Sequence, residues 1–184
     1  MISCLSPFLW KKKRIKRECV QKHLGVFLDE KLSFSEHINE KTKKVTKGIN
    51  LLRKLNLSLP RSSLLIIYKS FIRPHLDYGD VVYDQPNNAS VSEKLESLQY
   101  NAALAITGAI RGSSKEKLYQ ELGLESLKDR RWIRKLCYLY KIISTKKPSY
   151  LYSLLPSIQR SYRNPYTFQP LPCRTESFKK SFLP

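Results

Sequence analysis

Glycine is scarce in this chain: six residues in 184, with no G-x-G-x-x-G and no G-x-x-x-x-G-K-[ST] string. That leaves little room for a phosphate-cradling nucleotide loop. No apolar run reaches the ~18–20 residues a membrane-spanning helix needs. The four cysteines (Cys4, Cys19, Cys137 and Cys173) never fall in a C-x-x-C spacing. This argues against a structural zinc site and for reduced thiols. Cys137 is expected in the core and the other three are incidental. His23, His37 and His75 lie too far apart for an H-E-x-x-H pair, and no G-x-S-x-G string marks a nucleophile. His37 is expected to pack or cap near a helix start. His75, directly after Pro74, is expected to serve backbone geometry. Acidic residues are also few, 15 against 34 Lys and Arg, for a net charge of +19. Such a charge calls for an acidic partner or a tolerance for self-repulsion, and nucleic acid and anionic membrane are the obvious partners. The apolar share, 41%, is enough to build the core of one domain.

Periodicity predicts a mainly α-helical chain with a short β element ahead of the helices. Val20, Lys22, Leu24, Val26 and Leu28 alternate around Gly25, which is strand-like spacing, and Asp29-Glu30-Lys31 offers a turn. Ser33 and Glu36 have the spacing of a capping box, so a helix should start near residue 34. Its apolar face is Ile38, Val45, Ile49, Leu52 and Leu55. Its opposite face carries Glu40, Lys41, Lys43, Lys44, Lys47 and Lys54. A second helix should begin near Pro60, with Leu64, Ile67, Tyr68, Phe71 and Ile72 apolar, and be kinked or ended by Pro74. Residues 77–84 are ambiguous between helix and loop, and Gln85-Pro86-Asn87-Asn88 reads as a turn. Ser90 and Glu93 form a second capping box, opening a helix with Val91, Leu95, Leu98, Ala102 and Ala105 on its buried stripe. Gly108 is its stop. A short helix from Ser114 should end at Gly123. The next starts after Ser126, with Leu127, Trp132, Leu136, Leu139, Tyr140 and Ile143 on its apolar side. Residues 156–184 hold five of the ten prolines and no helical period, and read as an extended tail.

Two features bear on chemistry. Asp77, Asp80 and Asp84 are the one dense acidic group. They are either a metal-binding set, a solvated patch, or partners for nearby basic side chains, and the last two are favoured. Basic residues cluster twice: seven Lys and Arg against one Glu over 11–22, and eight against one Asp over 126–147. Lys11, Lys12, Lys13, Arg14, Lys16 and Arg17 suit a nucleic-acid arm, a nuclear localisation signal or a plain solvated tail. Lys128, Arg130, Arg131, Arg134 and Lys135 give the 126–147 helix a basic side fit for phosphates. No base-reading motif accompanies them, so contacts should be to the backbone of RNA or DNA.

Five stretches, in order, together resemble the C-terminal part of the reverse transcriptase of LINE-type (non-LTR, jockey-like) retrotransposons. They are Gln21-Lys22-His23-Leu24-Gly25-Val26-Phe27-Leu28-Asp29 with Leu32-Ser33-Phe34 and His37-Ile38; Leu65 to Gly79, including Tyr68-Lys69-Ser70-Phe71-Ile72-Arg73-Pro74-His75-Leu76-Asp77-Tyr78-Gly79; Leu95-Glu96-Ser97-Leu98-Gln99-Tyr100-Asn101-Ala102-Ala103 with Ile106-Thr107-Gly108; Leu122-Gly123-Leu124 to Arg130-Arg131; and Cys173-Arg174-Thr175-Glu176. The resemblance covers residues 18–184. It implies a primer grip at 18–34, with His23, Leu24 and Gly25 near a primer terminus. It also implies a helical, thumb-like region over 35–155, and partners that include an RNA–DNA duplex and other parts of the polymerase.

Tyr78-Gly79-Asp80-Val81 looks like the family's Tyr-x-Asp-Asp string, but that string precedes the primer grip, so Asp80 is not carried over as catalytic. The resemblance therefore implies no catalytic residue, metal or cofactor in this stretch, since the Mg²⁺ of the full enzyme belongs to a palm that has no counterpart here. The first 17 residues match nothing in the family, and both ends of the chain look cut. The expectation is a mainly α, thumb-like bundle with an N-terminal β-hairpin and an extended C-terminal tail, without polymerase activity and intracellular, in nucleus or cytoplasm. The rival is a basic helical interaction or scaffold protein with no nucleic-acid role.

Overall fold

Alternation around a glycine turns into a hairpin because glycine tolerates the turn. The computed structural model describes residues 18–84 and 89–155, and beyond them only the backbone of four two-residue strands. These four, β1 (Leu9–Trp10) with β2 (Lys13–Arg14) and β5 (Ile158–Gln159) with β6 (Thr167–Phe168), form two antiparallel pairs. Strands β3 (Val20–His23) and β4 (Val26–Asp29) pair in register from Val20↔Asp29 to His23↔Val26. Their two-residue turn is Leu24-Gly25, with φ of 45° and 81°. Positive φ at both positions matches the twist of a tight hairpin. The hairpin therefore turns within the alternating run, and Asp29-Glu30-Lys31 leads out of it.

The Ser33–Glu36 capping box is not formed. The Asp29 carboxylate does the work instead, accepting from the N–H of Ser33 at 3.0 Å and of Phe34 at 2.7 Å. Burial alone would raise the Asp29 pKa, but these N–H groups outweigh it and hold it below the usual range. Helix α1 (Ser35–Leu55) follows and buries Ile38, Val45, Ile49 and Leu52, as its period predicts. It also buries His37 and Lys41, the latter assigned by periodicity to the wet face.

Helix α2 (Arg61–Ile67) runs into a π-turn over Tyr68–Ile72 and then into α3 (Arg73–Asp77), with Pro74 in its first turn. Proline lacks an N–H and its ring would strike the carbonyl four residues back, so widening the turn lets the helix pass it. The extra residue shifts the buried register. Leu64, Tyr68, Ile72 and Leu76 point inward, while Phe71, expected on the apolar surface, is 72% exposed. Gly79 at φ 69° breaks the chain before a single turn, α4 (Asp80–Tyr83).

Helix α5 (Ala89–Thr107) buries Leu95, Leu98, Ala102 and Ala105, and also Gln99, Ala103, Leu104 and Ile106. A helix covered on so many sides is the centre of the bundle, and α1 packs along it. It starts at Ala89, one residue before the proposed Ser90 cap, and Gly108 at φ 72° follows its end. Helix α6 (Lys115–Leu122) has the Ser114 Oγ accepting from Lys117 N–H, and it ends on Gly123 at φ 58°. Leu124 N–H donates back to Tyr119 O at 2.8 Å, the long bond of a glycine C-cap. Helix α7 (Leu127–Thr145) is capped by Ser126, whose Oγ accepts from Asp129 N–H. Helix α8 (Ser149–Leu154) packs on α7. The structure is mainly α with one N-terminal hairpin of four-residue strands, the class the sequence predicts. The turn at 85–88 and the tail at 156–184 lie outside the described residues, apart from the short strands named above.

Candidate nucleic-acid interface

The hairpin turn is fixed from beneath. Tyr78 Oη donates to Leu24 O at 2.6 Å. A Cβ on Gly25 would sit 3.3 Å from the Tyr78 ring. Leu24 itself is 79% exposed at the tip, and His23 is exposed beside it. Behind the turn, Phe27 N–H points to His37 Nδ1 at 3.5 Å. Burial, then the charges of Lys41 and Lys44, pushes the His37 pKa down to about 4, so the ring is neutral at pH 7. Lys41 Nζ donates to Tyr78 O at 2.5 Å and to Tyr83 Oη at 3.1 Å, and lies 4.2 Å from the Tyr83 ring centre. Burial lowers its pKa to about 7 against the pull of Asp80. A cavity of about 80 Å³ opens here, lined among others by Gly25, His37, Lys41, Lys44 and His75.

The Lys41 side chain meets the same bend that α7 holds from the other side. Asp77 is paired with Arg73 at 3.4 Å, Arg130 at 3.0 Å and Arg134 at 2.6 Å. Arg134 also bonds Asp80 at 2.5 Å and Asp77 O at 2.9 Å. Asp84 is paired with Arg131 at 3.4 Å and Lys135 at 2.7 Å. Burial pushes the Asp80 pKa up, and the Arg134 charge only partly offsets it. Among the described residues, no group of three or more His, Cys, Asp or Glu could hold a metal ion. The acidic trio is filled by cations of the same chain.

Four of the five α7 residues singled out for phosphate contact, Arg130, Arg131, Arg134 and Lys135, are therefore engaged inside the fold. Arg131 is 3% exposed, and its Nε and Nη2 lack partners. Lys128 is exposed. The basic side of α7 faces inward, and Trp132, Leu136 and Tyr140, read from the sequence as its apolar side, are 63%, 46% and 74% exposed. Cys137 is exposed as well. The sequence shows that α7 has two faces. It does not show that an acidic bend some fifty residues earlier would claim the basic one. Of the run from Lys11 to Arg17, only the backbone of Lys13 and Arg14 is described; Lys11, Lys12, Lys16 and Arg17 lie outside the described residues.

Free positive charge lies elsewhere. On the outer side of α1, Lys43 pairs with Glu40 at 2.6 Å, but Lys44, Lys47 and Lys54 are exposed without a carboxylate partner among the described residues. Sequence reasoning gave no part to Tyr78, which braces the turn, or to Glu96. The Glu96 carboxylate accepts from Tyr119 Oη at 3.0 Å and from Leu127 N–H at 2.9 Å, which anchors the start of α7.

Over 112 residues the chain is 30% identical to "Probable RNA-directed DNA polymerase from transposon X-element" of Drosophila melanogaster. The likeness supports an origin related to the reverse transcriptases of transposons. The matched stretch is 59% of this chain and only 12% of the length of that polymerase. No family model matches the chain, and no solved structure does. Among the described residues no helix is long and apolar enough to cross a membrane.

Proposed function

We propose that this chain corresponds to the C-terminal, primer-grip and thumb-like portion of a non-LTR retrotransposon reverse transcriptase, and that it holds nucleic acid by its phosphates without catalysing polymerisation. The observation that carries the reading is the glycine turn at Leu24-Gly25, braced by Tyr78 and followed at once by α1 with its unpaired outer lysines. His23, Leu24 and Gly25 would face the primer terminus. Lys44, Lys47 and Lys54, with Lys128 and the run Lys11 to Arg17, would meet the backbone of an RNA–DNA duplex or of single strands. Arg130, Arg131, Arg134 and Lys135 would reach phosphate only after leaving Asp77, Asp80 and Asp84, so their first role is to seat α7.

The Mg²⁺ that the family's chemistry uses does not fit the carboxylates present here. Each of the three is already neutralised by guanidinium or ammonium groups, and no step is assigned to them. Such a role implies an intracellular setting, nucleus or cytoplasm, and the remainder of the polymerase as a partner.

The test is anisotropy of a labelled RNA–DNA duplex from about 50 to 300 mM salt, where log K should fall linearly by roughly 0.9 for each phosphate contacted. A flat salt dependence, or no binding at low salt, rules out the phosphate role. Templated, divalent-ion-dependent nucleotide incorporation by the purified chain rules out the non-catalytic one. The second reading, an interaction protein with no nucleic-acid role, is favoured by the outward apolar side of α7.

A further inference from the structure

Trp132, Ile133, Leu136 and Tyr140 are 63%, 50%, 46% and 74% exposed along one side of α7. They recur at the spacing of a single helical stripe, opposite the side held by Asp77, Asp80 and Asp84. We propose that a second copy of this chain seats on the stripe, α7 against α7, antiparallel about a twofold at Leu136.

The stripe is self-complementary, as a twofold interface must be. Trp132 and Tyr140 stand four residues either side of Leu136, so the rotation lays each Trp132 against Tyr140 of the other copy. The charges choose the direction. At the start of α7, Glu125 pairs with Arg130 at 3.5 Å and Asp129 accepts from Ser126 Oγ at 2.7 Å; both remain exposed, beside the exposed Lys128, whereas Lys146 and Lys147 are exposed at its end. Antiparallel pairing sets the end that carries the exposed carboxylates of Glu125 and Asp129 against the Lys146 and Lys147 end of the other copy and opposes the helix dipoles favourably. Parallel pairing would set like against like.

Nucleic acid suits this side poorly. Trp132 and Tyr140 could stack on bases, but the guanidinium groups of Arg130, Arg131 and Arg134 that would take the phosphates are turned to the other side of the helix and paired. An anionic membrane suits it poorly for the same reason, because an interfacial helix needs its basic side free. The stripe supplies on the order of 400 Å² per copy, about half of a standard interface, so the dimer is of the weak, transient class.

Sedimentation velocity of the full chain over a micromolar concentration series tests this. A monomer–dimer equilibrium is expected, and Leu136→Glu, an exposed substitution that leaves the fold intact by circular dichroism, should weaken it at least tenfold. Glu125→Lys should weaken it, Lys147→Glu should weaken it, and the two together should restore it, which a merely sticky surface would not do. Added salt should strengthen the dimer by screening two copies of charge +19 from each other, the opposite of its effect on nucleic-acid binding. The idea is overturned by a monomer at every concentration, by a dimer indifferent to Leu136→Glu, or by no recovery in the charge-swapped double variant. It is equally overturned if Leu136→Glu abolishes retention of single-stranded RNA or of anionic vesicles by a chain that was monomeric throughout.

Discussion

Lys41 is where one residue most changes the behaviour of the fold. Its position was recoverable in part: Ile38 to Val45 is a step of seven in an otherwise three-and-four pattern, and the missing inward position falls at 41 or 42. Helical periodicity does not place a lysine there, because burying an ammonium needs acceptors that lie far away in sequence, here Tyr78 O and Tyr83 Oη. The consequence is a pH dependence. The folded pKa is about 7 against roughly 10.4 unfolded, so between these values the unfolded chain binds a proton that the folded chain does not. Stability must then rise with pH across that window, whereas below about pH 7 both states are charged and the cost is complete. Urea unfolding at pH 7 and at pH 9.5 should show a gain on the order of 3 kcal/mol from this group, and Lys41→Met should remove the gain. His37, lowered to about 4, acts with the same sign further down, so stability should fall as pH drops from 6.5 towards 4. A Lys41→Met chain that keeps the full alkaline gain would show that the ammonium is not buried.

At the scale of elements, what is local was legible and what is long-range was not. Ser114, Gly123 and the Ser126–Asp129 pair set the limits of α6 and α7 because capping uses groups within three or four residues. The orientation of α7 depends on Asp77, Asp80 and Asp84, which lie some fifty residues upstream, and no period reports that. Asp84→Ala should therefore do more than remove a surface charge. It leaves Arg131, 3% exposed, without its carboxylate, and breaking such a buried pair costs about 3–5 kcal/mol. Amide exchange should quicken along α7 ahead of α1 and α5. Adding Arg131→Met should recover much of the loss, since removing both partners leaves no stranded charge.

Gly48 sets the other helix contact. It lies inside α1, where alanine would gain about 1 kcal/mol of helix propensity. A Cβ there would meet Ile72 Cγ1 at 2.8 Å, and overpacking of a branched side chain costs about 1–3 kcal/mol. Gly48→Ala should lower the unfolding midpoint. A rise would mean that α1 and the π-turn have room to separate.

For the whole molecule, the net charge of +19 says that an anionic partner is expected but not which residues meet it. Residues 126–147 hold eight of the basic side chains, yet the fold spends four of them on one acidic bend. The outer side of α1, less dense in sequence, keeps Lys44, Lys47 and Lys54 exposed and without carboxylate partners among the described residues. Free charge, rather than total charge, should set the salt dependence, because only a cation not already paired releases a counterion when it meets a phosphate. Replacing Lys44, Lys47 and Lys54 together with Gln should flatten the slope of log K against log salt by about 2.7, at roughly 0.9 for each lysine. The loss should be the same on every sequence tried, as backbone contacts carry no base information. Deleting the run from Lys11 to Arg17 should flatten the slope further and independently if that run is an arm, and leave it unchanged if it is only a solvated tail. A triple variant with an unaltered slope would move the binding surface off α1, and the Leu24-Gly25 turn would then have no charged helix beside it to complete a grip.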